Sequence, residues 1–365
     1  MPKKIVLVTR DAAPSRCFKR LEPVLRERGF DVVLFIGDGK PLAETMDEIG
    51  FAASHASVVV LGMSSSAELA RPEIAAGEAA KRAGVPYGFY GDVSRCWGRA
   101  RSGAWFEGLA SGAAFYFGVT QEDTDTAREV FPSAKLIGTG NPLREEMAFP
   151  HFTREEVRAK LNIAPEEKLV LVPGGKFAAG NLSMWAMIMD SLASLTNYDL
   201  RFQLVLAIHP GDRTPYALDA ASKKEMVLYD ELLSCSPIPA RIINKDILTA
   251  SDIVSGADIV VEWGSSIGIE GAYQNVPVIS LGLEILRRRL ERASDVRIPE
   301  AVNAGLSELV SADTNKLADT IQRLLTPDGF APMRERQQKL CPKPAERGAA
   351  LRKIADAIED LTKEA

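Results

Sequence analysis

The sequence predicts an α/β protein in which two doubly wound parallel sheets follow one another along the chain. Three observations lead to this fold class. Short continuous apolar runs alternate with amphipathic segments, which is typical of parallel strands that helices cover on both faces. The alternation stops near residue 150 and then restarts. The length of 365 residues also exceeds one ordinary core and suits two domains.

The first half contains six apolar runs that we predict as strands, with helices between them. In the first predicted helix, Phe18, Leu21 and Leu25 recur at helical spacing and Gly29 supplies a C-terminal stop. The predicted strands are 5–9, 31–36, 57–61, 85–90, 113–119 and 135–139, and the predicted helices are 15–29, 68–84 and 120–131.

The second half repeats this pattern after a boundary. Asn141-Pro142 ends the first unit, and Thr153 with Glu156 forms a capping box for a small helix. We therefore predict an N-terminal domain over 1–148, a second domain over 149–330 and a helical extension over 331–365. The predicted strands are 168–172, 202–208, 240–243, 257–261 and 276–280, and the predicted helices are 183–195, 247–255, 267–274, 317–325 and 344–362.

Charge and composition exclude several classes of protein. The 44 basic and 49 acidic residues give a net charge of −5, which argues against a nucleic-acid partner and leaves room only for a local anion site. The four cysteines and three histidines form no metal-ligand spacing, so we predict reduced thiols and no metal site. No apolar run suits a signal peptide or a membrane span. We expect a cytoplasmic protein, and peripheral contact with the membrane is compatible with this expectation.

Candidate site residues come from the loops that follow strands. Ligands of doubly wound sheets bind outside the carboxyl ends of the strands. If two such domains face each other, the cleft between them is the expected site.

Two loops of the second half carry groups suited to a phosphate. Gly174 and Gly175 allow close approach of a backbone to a ligand, and Lys176 offers a positive charge. His209 could donate to a phosphate oxygen or stack on a ligand. The alternatives are an ordinary tight turn and a capped loop histidine.

A third loop joins a strand to the start of a helix. Gly264, Ser265 and Ser266 provide N–H groups and hydroxyls at the positive end of that helix. Together these groups predict an anion-binding site. Glu270 lies one turn further on and could accept the two hydroxyls of a ribose. The alternatives are helix capping by the serines and a solvated or salt-bridged position for the glutamate.

Residues 257–281 resemble the nucleotide-binding segment of the GT-B glycosyltransferases, a superfamily with two Rossmann-like domains facing a cleft. The shared pattern is a strand, a Gly/Ser-rich loop, a helix carrying Glu270, and then 275–279 with the sequence Asn-Val-Pro-Val-Ile. Residues 114–147 are similar to the segment that closes the first domain there and in UDP-GlcNAc 2-epimerases. The resemblance covers most of 1–330.

This resemblance implies a nucleotide-sugar site in the second domain and an acceptor site in the first. It assigns Ser265 and Ser266 to phosphate, His209 to phosphate or its neighbour, and Glu270 to ribose. The extension 331–365 would pack across the domains. The histidine and serine pattern also resembles capsule and lipopolysaccharide transferases that use CMP-activated acids, so UDP and CMP both stay open as the donor nucleotide.

An inverting transferase needs a base for the acceptor hydroxyl, usually in the first domain. Asp92, just past a strand end, is the first candidate, and Asp11, at the end of the first strand, is the second. Either could instead be a loop cap. Since no Asp-x-Asp motif is present, we expect a metal-independent reaction with no cofactor beyond the nucleotide-sugar co-substrate.

Residues 95–106 form a basic segment with two tryptophans and no acidic residue. We predict that Arg95, Arg99 and Trp97 bind the acceptor through an anionic group or by stacking on a sugar. Contact of this segment with anionic lipid is a further functional interpretation. The alternative is a solvated basic loop with its tryptophans packed in the core.

Together these features predict a glycosyltransferase of polysaccharide biosynthesis. It would move a sugar from a UDP- or CMP-sugar to a glycan or lipid-linked cell-surface acceptor, and a homodimer is compatible with this function. One alternative is a UDP-GlcNAc 2-epimerase-like enzyme, although Met63 stands where that family has an aspartate. The other is a nucleotide-sugar-binding protein without catalysis.

Overall fold

The chain divides into two compact units, each with one six-stranded parallel sheet. The computed structural model describes residues 2–175, 178–198, 200–209, 229–243, 247–288 and 298–364. The first unit comprises Met1–Glu146 and Pro344–Ala365, and the second comprises Met147–Lys343.

The sheet of the first unit has the strand order β2-β1-β3-β4-β5-β6. The chain leaves the neighbouring strands β1 and β3 toward opposite edges of this sheet. Its strands are Lys4–Thr9 (β1), Asp31–Ile36 (β2), Val58–Gly62 (β3), Tyr87–Tyr90 (β4), Phe115–Gly118 (β5) and Lys135–Gly138 (β6). Its α-helices are Ala12–Glu27 (α1), Met46–Ser54 (α2), Arg71–Ala83 (α3), Glu107–Ala110 (α4), Gln121–Asp125 (α5) and Pro142–Glu145 (α6).

The sheet of the second unit has the order β12-β11-β10-β7-β8-β9, so its switch point lies between β7 and β10. Its strands are Lys168–Pro173 (β7), Phe202–Ala207 (β8), Ala240–Ile243 (β9), Ile259–Glu262 (β10), Val278–Gly282 (β11) and Glu308–Ser311 (β12). The α-helices that follow α6 are Arg154–Lys160 (α7), Ala178–Leu195 (α8), Ala250–Val254 (α9), Ser266–Tyr273 (α10), Glu300–Asn303 (α11), Thr314–Leu324 (α12), Pro327–Leu340 (α13) and Ala349–Glu364 (α14).

Both faces of each central strand are buried, which explains the continuous apolar runs. In β1, Ile5 and Leu7 pack with α1 and α14, while Val6 and Val8 pack with α2 and α3. In β7 the alternate residues pack with α8 and α12 on one face and with α7 and α9 on the other. Successive side chains of a strand point to opposite faces, so helices on both faces require apolar residues at every position.

The expected extension 331–365 consists of two helices that belong to different units. Helix α13 packs in the second unit, where the Gln337 amide donates to the carbonyls of Val276 and Leu306. Helix α14 packs on α1 in the first unit through Ile354 and Ile358. The division falls at 343/344, and the other boundary lies between Glu146 and Met147.

Several elements differ from the sequence prediction. Helix α2 and strand β12 were not predicted, and the predicted helix 120–131 is α5 followed by a 3-10 turn at Thr126–Glu129. The predicted capping box of Thr153 and Glu156 is present at the start of α7. In the described part of the chain, no helix combines the length and apolar composition that a membrane span requires.

Candidate functional site

The switch point of the second sheet brings most of the predicted nucleotide-binding residues to one edge. Gly174 and Gly175 follow β7, residues 263–266 follow the neighbouring strand β10, and His209 follows β8 on the other side of β7. Lys176 lies outside the described residues. Parallel strands end at the same edge of a sheet, so these loops are neighbours.

The loop between β10 and α10 leaves one serine exposed at the helix end. Gly264 has φ +65°, and Ser265 is the N-cap, with its hydroxyl accepting from Ile267 N–H at 3.2 Å. Ser266 is exposed, and within the described residues neither its N–H nor its hydroxyl has a partner. The Ser265 hydroxyl is therefore engaged in capping, and Ser266 offers the donors for an anion.

A buried glutamate, Glu262, lies beneath this helix end. Its Oε2 accepts from Ser265 N–H at 2.7 Å, and its Oε1 accepts from the hydroxyl of Ser280, which is 2.9 Å from that of Ser307. Burial raises the pKa of Glu262 to about 7. A Cβ at Gly268 would approach its carboxyl group to 3.1 Å, so the helix passes directly over it.

Glu270 is buried as well, which excludes the solvated alternative. Its side chain is 7% exposed, and its carboxylate oxygens accept from the Ser251 hydroxyl at 2.5 and 2.6 Å. Burial raises the pKa of Glu270 to about 7, opposed by the Ser251 hydrogen bond; Asp252 raises it further and His151 lowers it. Glu270 thus already binds a hydroxyl group, which is the chemistry that a ribose would offer.

The turn after β7 is held by a buried asparagine. Asn181 accepts from Gly175 N–H at 2.7 Å and donates to the Gly175 carbonyl at 2.9 Å and to the Tyr229 hydroxyl at 3.3 Å. Gly174 N–H donates to the Ala207 carbonyl at 2.8 Å. The turn is therefore fixed from both sides, with its Gly175 end exposed.

In the first unit, Asp11 caps α1 and crosses to the loop after β3. One carboxylate oxygen accepts from Ala12 N–H at 2.9 Å and the other from Ser65 N–H at 2.9 Å. Its own N–H donates to the Ser64 hydroxyl at 3.1 Å. The structure thus places Asp11 in the loop-cap arrangement that was the alternative to a base.

Glu73 is buried at the switch point of the first sheet, between β1 and β3. Its Oε1 accepts from the hydroxyls of Thr9 (3.1 Å) and Ser64 and from Arg10 N–H (3.3 Å). Its Oε2 is buried and has no partner among the described residues. Burial raises the pKa of Glu73 to about 7.

Asp92 lies just beyond β4 and is 7% exposed. Its Oδ1 is 4.0 Å from Arg99 Nη1 and 3.8 Å from Cys96 Sγ, and its backbone carbonyl accepts from the Asn141 amide at 2.5 Å. Burial raises the pKa of Asp92, while the charges of Arg99 and Arg144 act in the opposite direction. The carboxyl is thus more basic than an exposed aspartate.

The structure separates the three residues predicted to bind an acceptor. Arg95 is exposed with φ 58°, and its N–H donates to the Asp123 carboxylate at 3.0 Å. The Arg99 guanidinium turns inward to the Met63 carbonyl, beside Asp92. Trp97 packs on the core of the first unit, as in the alternative interpretation.

Comparison with known proteins identifies the fold. No protein-family model and no curated protein sequence matches the chain. Three similar solved structures are a UDP-GlcNAc 2-epimerase from Neisseria meningitidis bound to UDP-GlcNAc, a glycosyltransferase from Rickettsia africae and MurG from Acinetobacter baumannii. Their identities are 16%, 12% and 13%, and their TM-scores are 0.57, 0.60 and 0.59. Coverage of this chain is 98%, 100% and 99%, and each of those chains is covered over 100%.

The chain has the GT-B fold. The fold class predicted from the sequence, two doubly wound parallel sheets, is confirmed.

Within this GT-B fold, sequence reasoning missed two buried glutamates, Glu73 and Glu262. Glu262 had one local signal, because it ends the apolar run 259–261 where burial continues. Glu73 had none, since the groups that bind it come from residues 9–10 and 64.

Proposed function

We propose that this protein is a glycosyltransferase that moves a sugar from a UDP- or CMP-activated donor to a glycan or lipid-linked acceptor. The observation that carries this proposal is the exposed end of α10 at the switch point of the second sheet. There the N–H and hydroxyl of Ser266 adjoin the loop after β7 that contains Gly175. Helix ends of this kind bind phosphate groups.

Proteins with the same fold support a nucleotide-sugar donor. One of the similar structures holds UDP-GlcNAc, and another is named a glycosyltransferase. In our proposal the donor phosphate binds at Ser266, and Glu270 accepts the ribose hydroxyls in place of that of Ser251.

The transfer itself needs one proton acceptor and one group that stabilises the leaving phosphate. Asp92 takes the proton from the acceptor hydroxyl as the new bond forms from that oxygen to the anomeric carbon. The bond from the anomeric carbon to the donor phosphate breaks, and its electron pair leaves with the nucleotide. The N–H groups at the α10 end stabilise that charge, and no step is assigned to a metal ion.

A UDP-GlcNAc 2-epimerase is the second candidate, favoured by a specific observation. Met63 lacks the acid expected there, but the carboxyl of Glu73 binds the hydroxyl of the next residue, Ser64. A buried carboxyl with a raised pKa can exchange a proton near neutral pH.

Two experiments separate these functions. Thermal unfolding with UDP, CMP and GDP tests the nucleotide site. If none of the three nucleotides increased the Tm, both proposed enzyme activities would be contradicted. Incubation with UDP-GlcNAc alone, followed by NMR, then distinguishes them, because only an epimerase forms the 2-epimer without an acceptor. Binding without either reaction, over a panel of acceptors, would indicate a nucleotide-sugar-binding protein.

A further inference from the structure

Glu262 is held against the inner side of the α10 end. It is fully buried, and its carboxyl group contacts Ser265 N–H and the Ser280 hydroxyl. A Cβ at position 268 would lie only 3.1 Å from this carboxyl group, so Gly268 is in tight contact with it. The carboxyl group cannot turn away from the helix end without breaking these contacts.

Within the described residues, the strands and helix that adjoin Glu262 bring no charged side chain to it. Its pKa of about 7 is raised by burial and lowered only by the Ser280 hydroxyl and the Ser265 N–H. Lys168 is the first residue of β7 and therefore lies at the amino ends of the strands, whereas Glu262 lies at their carboxyl ends. The other described titratable groups on these elements and their loops have partners of their own: Glu270 with Ser251, Glu308 with Arg323, Glu284 with Arg287 and Arg288, and Asp258 with Arg154 and Arg158.

The exposed donors of Ser266 lie on the outer side of the same helix end. A phosphate bound at Ser266 and an ionised Glu262 would accept from N–H groups of adjacent residues, Ser266 and Ser265. Two negative charges this close together repel each other. We propose that Glu262 is a positioning residue for the donor phosphate and takes up one proton when that phosphate binds. This inference rests on the proposed function and adds a proton to its binding step.

The direction of the pH dependence follows from this linkage. The bound phosphate raises the affinity of Glu262 for its proton, so donor binding consumes protons above about pH 7. Donor affinity then falls as the pH rises, approaching about tenfold per pH unit. Glu270 has the opposite effect, because only its ionised form accepts both ribose hydroxyls.

Calorimetric titration of the full-length protein measures the proton directly. UDP-GlcNAc and CMP-N-acetylneuraminic acid are titrated at pH 7.0 and 8.0, each in two buffers of different ionisation enthalpy. At pH 7 we expect little net uptake, because the half proton that Glu262 gains is offset by the half proton that Glu270 loses, and at pH 8 we expect uptake of most of one proton. Binding at pH 8 with no uptake, or with release, would overturn the role of Glu262 and leave the proposed function intact. Failure of both donors to bind at any pH would refute the proposed function itself.

A matched pair of variants assigns the proton to its residue. Glu262→Gln keeps the size of the side chain, and its amide can accept from Ser265 N–H and donate to the Ser280 hydroxyl oxygen. It should bind without proton uptake, and its affinity should not fall as the pH rises above 7. At pH 8.5 its affinity should exceed that of the wild type by roughly thirtyfold. His209→Asn is the control, because an imidazole gains charge in the same pH range. Uptake that persists in Glu262→Gln, or disappears in His209→Asn, would contradict the assignment.

Discussion

Buried glutamates without basic partners characterise the strand ends of both sheets. Glu73, Glu262 and Glu270 each accept hydrogen bonds from serine hydroxyls, and within the described residues none forms an ion pair. Burial raises the pKa of each to about 7. Sequence patterns identified only Glu270, which lies in the segment 257–281 that resembles a nucleotide-binding segment. Glu73 has no local signal, and Glu262 has only its position at the end of an apolar run.

Glu270→Gln should weaken nucleotide binding by about ten- to hundredfold, since a hydrogen bond to a charged group contributes roughly 1.5–3 kcal/mol. Ser251→Ala is the matched variant. It removes the hydroxyl that competes for the same carboxylate and should keep or increase affinity. Calorimetry with the wild type's preferred nucleotide measures both, and unchanged affinity of Glu270→Gln would refute the ribose contact.

Asp92→Asn should lower kcat by about 10²- to 10⁴-fold and leave the donor Kd unchanged, because it removes a general base. In the wild type, kcat should fall as the pH drops through the raised pKa of Asp92, where the base becomes protonated.

Asp11→Asn is the comparison, because Asp11 caps α1 in the structure. This substitution removes the charge at the N-cap of α1 and should lower the free energy of unfolding by at most about 2 kcal/mol. If Asp11→Asn loses kcat and Asp92→Asn does not, the base has been assigned to the wrong residue.

At the scale of elements, strands with two buried faces were the most predictable. The range 31–36 matches β2, and most other predicted strands differ by one or two residues at an end. Strand β12 was missed because it lies at a sheet edge, where only Val310 is buried. Helix α2 was missed because it is short, only Ile49 and Ala53 in it are buried, and Gly50 interrupts the apolar positions.

The attachment of α14 should depend on one carboxylate. Glu145 is buried and accepts from the N–H groups of Ala349 (2.9 Å) and Ala350 (2.6 Å) at the start of that helix. Glu145→Ala should lower the free energy of unfolding by about 1–2 kcal/mol. Glu346→Ala removes only an exposed salt bridge with Arg352 and should lower the free energy of unfolding by less than about 0.5 kcal/mol. Equal effects in urea denaturation would contradict the capping role.

At the scale of the molecule, each unit places one buried, hydrogen-bonded glutamate where the strand order reverses, Glu73 in the first unit and Glu262 in the second. The sequence located the loops that follow strands but not the order of the strands, since alternation of strands and helices is compatible with several orders. The two switch points therefore became visible only in the folded chain.

The buried glutamates should make the whole protein more stable in mild acid. Their folded pKa of about 7 exceeds the ordinary value of 4.5, so their contribution is complete below about pH 4.5 and is lost as the pH rises through 7. Calorimetric unfolding between pH 5.5 and 8.5 should show a Tm that falls with pH.

The variants Glu73→Gln and Glu262→Gln, one in each unit, should reduce that fall. A wild-type pH dependence in both variants would show that other groups set it.

The central claim is that a donor phosphate binds at the exposed end of α10. Ser266→Pro tests it most directly, because proline fits the first position of a helix and removes both the N–H and the hydroxyl. Ser265 before it is extended, as a residue preceding proline requires. Ser266→Ala, which removes the hydroxyl alone, is the control. In calorimetric titrations with UDP-GlcNAc and CMP-N-acetylneuraminic acid, we predict that Ser266→Pro keeps the wild-type Tm and binds at least tenfold more weakly than Ser266→Ala. Wild-type affinity in a folded Ser266→Pro protein would contradict the claim.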